Sequence, residues 1–223
     1  MFQEFQNAIS TGELQKIITS TLGQIIIVVV ALLLLLLVVS IGSKSKTMKT
    51  KELVYSAIAI AIAVVLSQLK IIKLPQGGSI TPFSMLFIVL IGYWFGTTQG
   101  VICGITYGLL QLIIDPWVVH PAQLLLDYPI AFGALGLSGI FKKSQNGLLK
   151  GLFIGTFGRF ICHFLTGVIF FTSYAEGVNM DPVLYSIAYN ISYIAVEVFL
   201  TVILLFIPTV DSAIKQLKRT ANS

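Results

Sequence analysis

Charge is what this chain has least of. Its 223 residues carry 14 Lys and Arg and 9 Asp and Glu, 10% in all, where an ordinary soluble domain has about 25%. A chain so poor in charge cannot cover itself with a water-compatible surface, which excludes a soluble globular fold. Cysteine is scarce as well. Cys103 and Cys162 are the two present, and both fall inside apolar runs, so neither a disulfide framework nor a CxxC metal site is expected; they read as small packing residues. There is no GxxxxGK[ST] phosphate loop, so any nucleotide-driven step belongs to partner proteins. There is no HExxH, nucleophile elbow or paired-carboxylate pattern either, which argues against an enzyme. No internal repeat of the kind that builds secondary transporters is visible. The formal charge of +5 does not point to nucleic acid, because the cations lie in short runs beside apolar segments, where positive-inside sorting places them.

What the chain has in quantity is hydrophobic length. Hydrophobic residues are 56% of the sequence and the mean hydropathy is +0.93. Apolar runs of about 20 residues recur, each long enough as a helix to cross ~30 Å of hydrocarbon, and too long for the ~10-residue alternating segments of a membrane β-barrel. The chain reads as an all-α integral membrane protein.

Taken in order, Gln24 to Ile41 is uniformly apolar and is followed at once by Lys44, Lys46, Lys49 and Lys51. It lacks a basic start and exceeds a signal-peptide core, so it is expected to be a retained helix ending on the cytoplasmic side. Further spans are expected at 52–69, 83–95, 100–114, 122–141, 148–171 and 183–207, with a non-helical loop at 70–82 and a soluble tail from Asp211. This divides the chain into an N-terminal extension, 1–49, with one transmembrane helix (24–41) and a basic linker, a six-helix membrane domain, 50–210, and a basic cytoplasmic tail, 211–223. With the 44–51 lysines inside, Lys142, Lys143, Lys150, Lys215, Lys218 and Arg219 also fall inside and the Glu176/Asp181 loop outside. The N-terminus is then outside and the C-terminus cytoplasmic.

Within these spans the polar residues are few and share one level. Asp127 and Tyr128 lie about one turn from the outer end of their helix, His163 about two turns from the outer end of its own. Tyr185, Tyr189 and Asn190 open the last span; Tyr107 and Gln111 lie in the outer half of theirs. A carboxylate at membrane depth is costly unless paired, hydrated or in use, and rings, amides and one carboxylate suit a small cationic heteroaromatic solute. Tyr185 and Tyr189, at i and i+4, are not expected to face one pocket together, and Arg159 and Glu197 are expected to form a structural ion pair. Gly100, Gly104 and Gly108 mark a close-packing seam, as do the alanines Ala57, Ala59, Ala61 and Ala63.

LPQGGS at 74–79, GLLQLIIDPWVVHPAQLLLDYPIAFGALGLSG at 108–139, HF-x-x-G-x-x-F at 163–170 and YSIAYN at 185–190 together resemble the ThiT family, the thiamine-specific S components of energy-coupling factor (ECF) transporters. The likeness covers residues 50–208. It implies a six-helix S-component bundle, here with one extra N-terminal helix, that binds thiamine from outside. The bundle would deliver it with a membrane coupling protein and two cytoplasmic ATPases; no cofactor is implied for the chain itself. It implies ligand contacts from Asp127, Tyr128, His163, Tyr185 and Asn190, aromatic positions filled by Tyr107 and Phe171, and a loop of Gln76, Gly77, Gly78 and Ser79 closing over the ligand. Gln111, one turn from Tyr107, joins this set from its position alone. Ala57, Ala59, Ala61 and Ala63 would dock the coupling protein. The chain departs from the family in having Asp127 where Glu is common and Ser84 where a second carboxylate is expected, leaving Asp127 to carry the charge recognition. A thiamine precursor or related vitamin, or a stand-alone membrane transporter, is the alternative reading.

Overall fold

The computed structural model describes residues 49–222 continuously and, before them, only isolated positions between Gln6 and Leu33. The expected helix at 24–41, and with it the 1–49 extension, lies outside the continuously described residues. From Thr50 the chain forms helices α1 (Thr50–Gln68), α2 (Ser84–Phe95), α3 (Thr97–Ile114), α4 (Pro121–Phe141), α5 (Gly147–Phe170), α6 (Thr172–Glu176), α7 (Pro182–Leu205) and α8 (Pro208–Asn222). α1, α3, α4, α5 and α7 are long and apolar enough to cross a membrane. α2, with 12 residues, is about 18 Å long and falls short. Nine of its 12 residues are buried, because a helix apolar on every side belongs inside the bundle rather than facing lipid.

Local chemistry explains the starts. Asp181 accepts from the backbone N–H groups of Val183 and Leu184, with Pro182 at the first helical position of α7. His120 Nδ1 accepts from Ala122 N, again with a proline, Pro121, next in line. α4 is not one continuous α-helix. Its residues Leu126–Ile130 form a π turn carrying Asp127, Tyr128 and Pro129, and Leu135–Phe141 tighten to 3-10 geometry. Pro129 has no N–H to close the normal i→i−4 bond, and a π turn re-routes the ladder around it.

The glycine seam of α3 does pack closely. A Cβ on Gly104 would stand 2.2 Å from the Phe132 carbonyl oxygen, and one on Gly108 2.4 Å from that of Tyr128. Only hydrogen fits there, so the backbones of α3 and α4 touch, and Tyr107 and Gln111 of α3 line the same cavity as Asp127 of α4. The alanines of α1 do not form one stripe. Ala59 and Ala63 are buried against the bundle with Ser56 and Ser67, while Ala57 and Ala61 face outward. Two positions along a helix are about 200° apart, so the expected four-alanine docking face reduces to Ala57 and Ala61.

The expected soluble tail is instead a helix held on the bundle. Ile214 and Ala221 of α8 are buried, Lys218 Nζ donates to the carbonyl of Lys142 at 2.8 Å and stands 3.5 Å over the Tyr93 ring. Burial first, then the neighbouring Lys218, lowers the pKa of the Lys142 ammonium from its usual value. An apolar face every three to four residues allowed this docking; the charge of the segment masked it.

Candidate functional site

One polar cavity opens among the helices, and every long helix reaches it from the same end of the bundle. α1 contributes Ser67 near its C-terminus, α2 Ser84 at its N-terminus, α3 Gln111, α4 Asp127, α5 His163 and α7 Tyr185. Alternating chain direction puts these C-termini and N-termini together, which is why residues far apart in sequence share a level.

At the centre of the wall is Asp127. Its Oδ1 accepts from Thr166 Oγ1 at 2.6 Å and lies 2.8 Å from His163 Nδ1; its Oδ2 accepts from Gln123 Nε2 at 2.6 Å. Arg159 Nε donates to His163 Nε2 at 3.2 Å, so Nε2 is the accepting nitrogen and Nδ1 carries the hydrogen that points at Asp127. The Arg159 guanidinium lies 4.3 Å over the Phe132 ring, and Phe132 meets Tyr107 edge-on at 4.8 Å. Gln123 also donates to the Trp117 carbonyl at 3.0 Å and accepts from Val119 N at 3.1 Å, so the 115–119 loop and Asp127 share one anchor.

The aromatic wall comes from α7. Tyr185, Tyr189 and Tyr193 recur every four residues; the first two stack at 6.1 Å and 16°, and Tyr189 meets Tyr193 edge-on at 5.7 Å. Tyr185 and Tyr189 therefore both line the cavity, contrary to the expectation that they would not share a pocket. One turn of separation places their rings in parallel on one face, and their hydroxyls reach up to the 70–82 loop. Gln76 Nε2 donates to Tyr185 Oη at 2.5 Å, Gly78 N donates to Tyr189 Oη at 3.0 Å, and Tyr189 Oη donates to the Pro75 carbonyl. This loop contains a small antiparallel pair, Ile72–Lys73 with Ser79–Ile80. Gly77, at φ +84, packs its Cα against Trp117, where a Cβ would stand 3.0 Å from the Trp117 Cβ. Lys70 pairs with Asp115 across the same rim.

The deeper end holds a second carboxylate. Glu197 of α7 is 3% exposed. Its Oε1 accepts from Ser84 Oγ and Met85 N, each at 3.0 Å, and its Oε2 from Thr81 Oγ1 at 2.9 Å. The expected Arg159–Glu197 ion pair does not form: Arg159 turns to His163 and Phe132, and Glu197 is met by neutral donors. Ser84, which stands where a carboxylate was expected, instead donates to one supplied by another helix, so the cavity wall carries Glu197 as well as Asp127.

All the binding residues expected from the sequence line this cavity: Gln76, Gly77, Gly78, Ser79, Tyr107, Gln111, Asp127, Tyr128, His163, Phe171, Tyr185 and Asn190. Not all have free polar groups. Tyr128 Oη accepts from Trp117 N at 2.6 Å and donates to the Asp115 carbonyl at 3.1 Å, pinning a loop. Asn190 donates to the carbonyls of His163 and Ser186 and accepts from Tyr193 Oη at 2.8 Å. Gln111 donates to Ser67 Oγ at 2.7 Å. Sequence reasoning missed Trp117, Gln123, Phe132, Thr166 and Tyr193. The periodic Tyr185/Tyr189/Tyr193 was the one signal that could have found any of them.

The lining carries three carboxylates, Asp115, Asp127 and Glu197, against two cations, Lys70 and Arg159, a balance of one negative charge. A multi-pass helical bundle around a polar, aromatic-walled cavity defines a membrane protein that can hold a small solute. Comparison with known proteins agrees. The family described as thiamine transporter protein matches residues 53–217. The thiamine transporter ThiT of Bacillus subtilis is 34% identical over 170 residues, covering 69% of this chain and 87% of that one. That of Lacticaseibacillus paracasei is 32% identical over 116 residues, 44% of this chain and 58% of its own. The structure of ThiT from Listeria monocytogenes superposes with a TM-score of 0.60 at 25% identity, covering 71% of this chain and 96% of that one. The chain belongs to the thiamine transporter protein family.

Proposed function

We propose that this protein binds thiamine and serves as the substrate-binding membrane subunit of a vitamin uptake transporter. The observation that carries this is the cavity's balance of one negative charge beside the Tyr185/Tyr189/Tyr193 wall. Thiamine is a heteroaromatic monocation, and its binding would neutralise the cavity while its rings contact aromatic faces. The names of the relatives, thiamine transporters from two bacteria, support the same ligand.

In this reading Asp127, His163 and the α7 tyrosines contact the ligand, and Gln76 to Ser79 form the cover over it. The lysine distribution, with Lys16, Lys70 and Lys73 as exceptions, supports a cavity that faces outside, an outer N-terminus and a cytoplasmic C-terminus. Residues 50–210 are the binding domain and 211–223 the cytoplasmic end. Delivery draws on an ECF coupling protein and two ATPases, since the sequence offers no phosphate loop of its own. Ala57 and Ala61, exposed one turn apart on α1, are the docking positions.

The test is binding of thiamine to the purified protein in detergent, followed by calorimetry, with mass analysis of any small molecule that copurifies. Tight thiamine binding is expected. No measurable thiamine binding together with a different copurifying molecule would overturn the assignment. Uptake in cells should in turn require the coupling protein and its ATPases.

A further inference from the structure

Glu197 has an unusual position for a buried carboxylate. Among the described residues no Lys, Arg or His lies in salt-bridge contact with it, although it is 3% exposed. Its three donors, Thr81 Oγ1, Ser84 Oγ and Met85 N, are all neutral. Two carboxylate oxygens offer about four acceptor positions, so one remains, on Oε2. Removing a carboxylate from water costs several kcal/mol per ion unless a charge or further hydrogen bonds replace the solvent. The N-terminus of α2 supplies a partial positive charge of about half a unit, which offsets the cost in part. Its neighbours in the wall, Tyr107 and Tyr193, carry no positive charge, and Arg159 is directed to His163 and Phe132.

We propose that Glu197 is a ligand-contacting residue that takes a share of the ligand's fixed positive charge, making a cation carried on an aromatic ring the substrate class this end of the cavity selects. The inference rests on the reading of the cavity as a thiamine site. It gives Glu197 a second consequence: through Thr81 and Ser84 the same carboxylate holds the end of the 70–82 loop and the start of α2, so the charge contact and the cover share one anchor.

The experiment compares two ligands on purified protein: thiamine, and a neutral isostere in which thiophene replaces the thiazolium ring. Glu197→Gln keeps an acceptor for Ser84 and Met85 N and removes the charge. It is expected to weaken thiamine at least tenfold and the neutral isostere less than twofold. Thr81→Val, which loosens the loop without touching the charge, is expected to weaken both ligands by one common factor. If Glu197→Gln weakens both ligands equally, or neither, Glu197 is a cap for α2 and loop anchor only, and the proposal is overturned. Should that variant not fold, Glu197→Asp retracts the charge by one methylene and is read the same way: at least a threefold loss for thiamine alone supports the proposal, equal changes overturn it. Wild-type protein that binds no thiamine overturns the thiamine reading with it; wild-type binding with no difference between the two ligands overturns this inference alone.

Discussion

His163 Nδ1 lies 2.8 Å from Asp127 Oδ1 across the α4–α5 interface, and Arg159 Nε donates to the other ring nitrogen at 3.2 Å. The three side chains form a line of hydrogen bonds from a carboxylate through an imidazole to a guanidinium. That line sets the ring's orientation and tautomer before any ligand arrives. It also reassigns Arg159, expected from the sequence to be a structural partner of Glu197, to the wall of the cavity itself.

Asp127→Asn tests whether the carboxylate recognises ligand. Two protein donors, from His163 and Thr166, meet one oxygen and Gln123 the other. An amide in its place loses the charge and turns an N–H toward one of those donors. Thiamine affinity should fall at least tenfold, about 1.4 kcal/mol, with a modest fall in unfolding temperature in detergent. Calorimetry reporting unchanged affinity would make Asp127 purely structural.

Tyr189→Phe probes the cover. It deletes the hydroxyl that accepts from Gly78 N and donates to the Pro75 carbonyl but keeps the ring in the stack. A typical hydrogen bond contributes roughly 0.5–1.5 kcal/mol net, so thiamine dissociation should speed by about two- to tenfold, with association little changed. Stopped-flow fluorescence of Trp117, which lies against Gly77 in the same loop contact, is the natural readout; an unaltered dissociation rate would show that the loop does not limit release.

For α1, Ala61→Trp and Ala63→Trp should part company. Ala61 is exposed and Ala63 is fully buried. Tryptophan at 61 should leave thiamine binding intact and abolish uptake by blocking the coupling partner. At 63 it overpacks the bundle, at a cost of the order of 1–3 kcal/mol or more, and should lower folded yield. Uptake that survives Ala61→Trp would move the docking surface elsewhere.

Gly104→Ala should destabilise the bundle without altering any polar group. The added methyl would meet the Phe132 carbonyl oxygen at 2.2 Å, and backbone cannot step aside as a flexible side chain can. A clear drop in thermal stability is expected, with thiamine affinity lowered as well, because α3 can no longer hold Tyr107 against Phe132. Wild-type stability would contradict the close α3–α4 approach.

The sequence by itself determined the membrane class, the extent of the five long spans and the common level of Asp127, His163, Tyr185 and Asn190. Hydrophobic length and 1.5 Å per residue are local properties, and alternation of direction follows from short connections. Only the tertiary structure decided which faces those helices present. It separated Ala57 and Ala61 from Ala59 and Ala63, brought Tyr189 beside Tyr185, and drew the α8 segment onto the bundle. It also turned Glu197 away from Arg159 toward Thr81, Ser84 and Met85. Pairings of this kind join residues more than a hundred positions apart, as Glu197 and Ser84 are, and depend on helix rotation and on the π turn at Asp127. A one-dimensional pattern records depth along a helix; the partner met at that depth depends on how every other helix is packed.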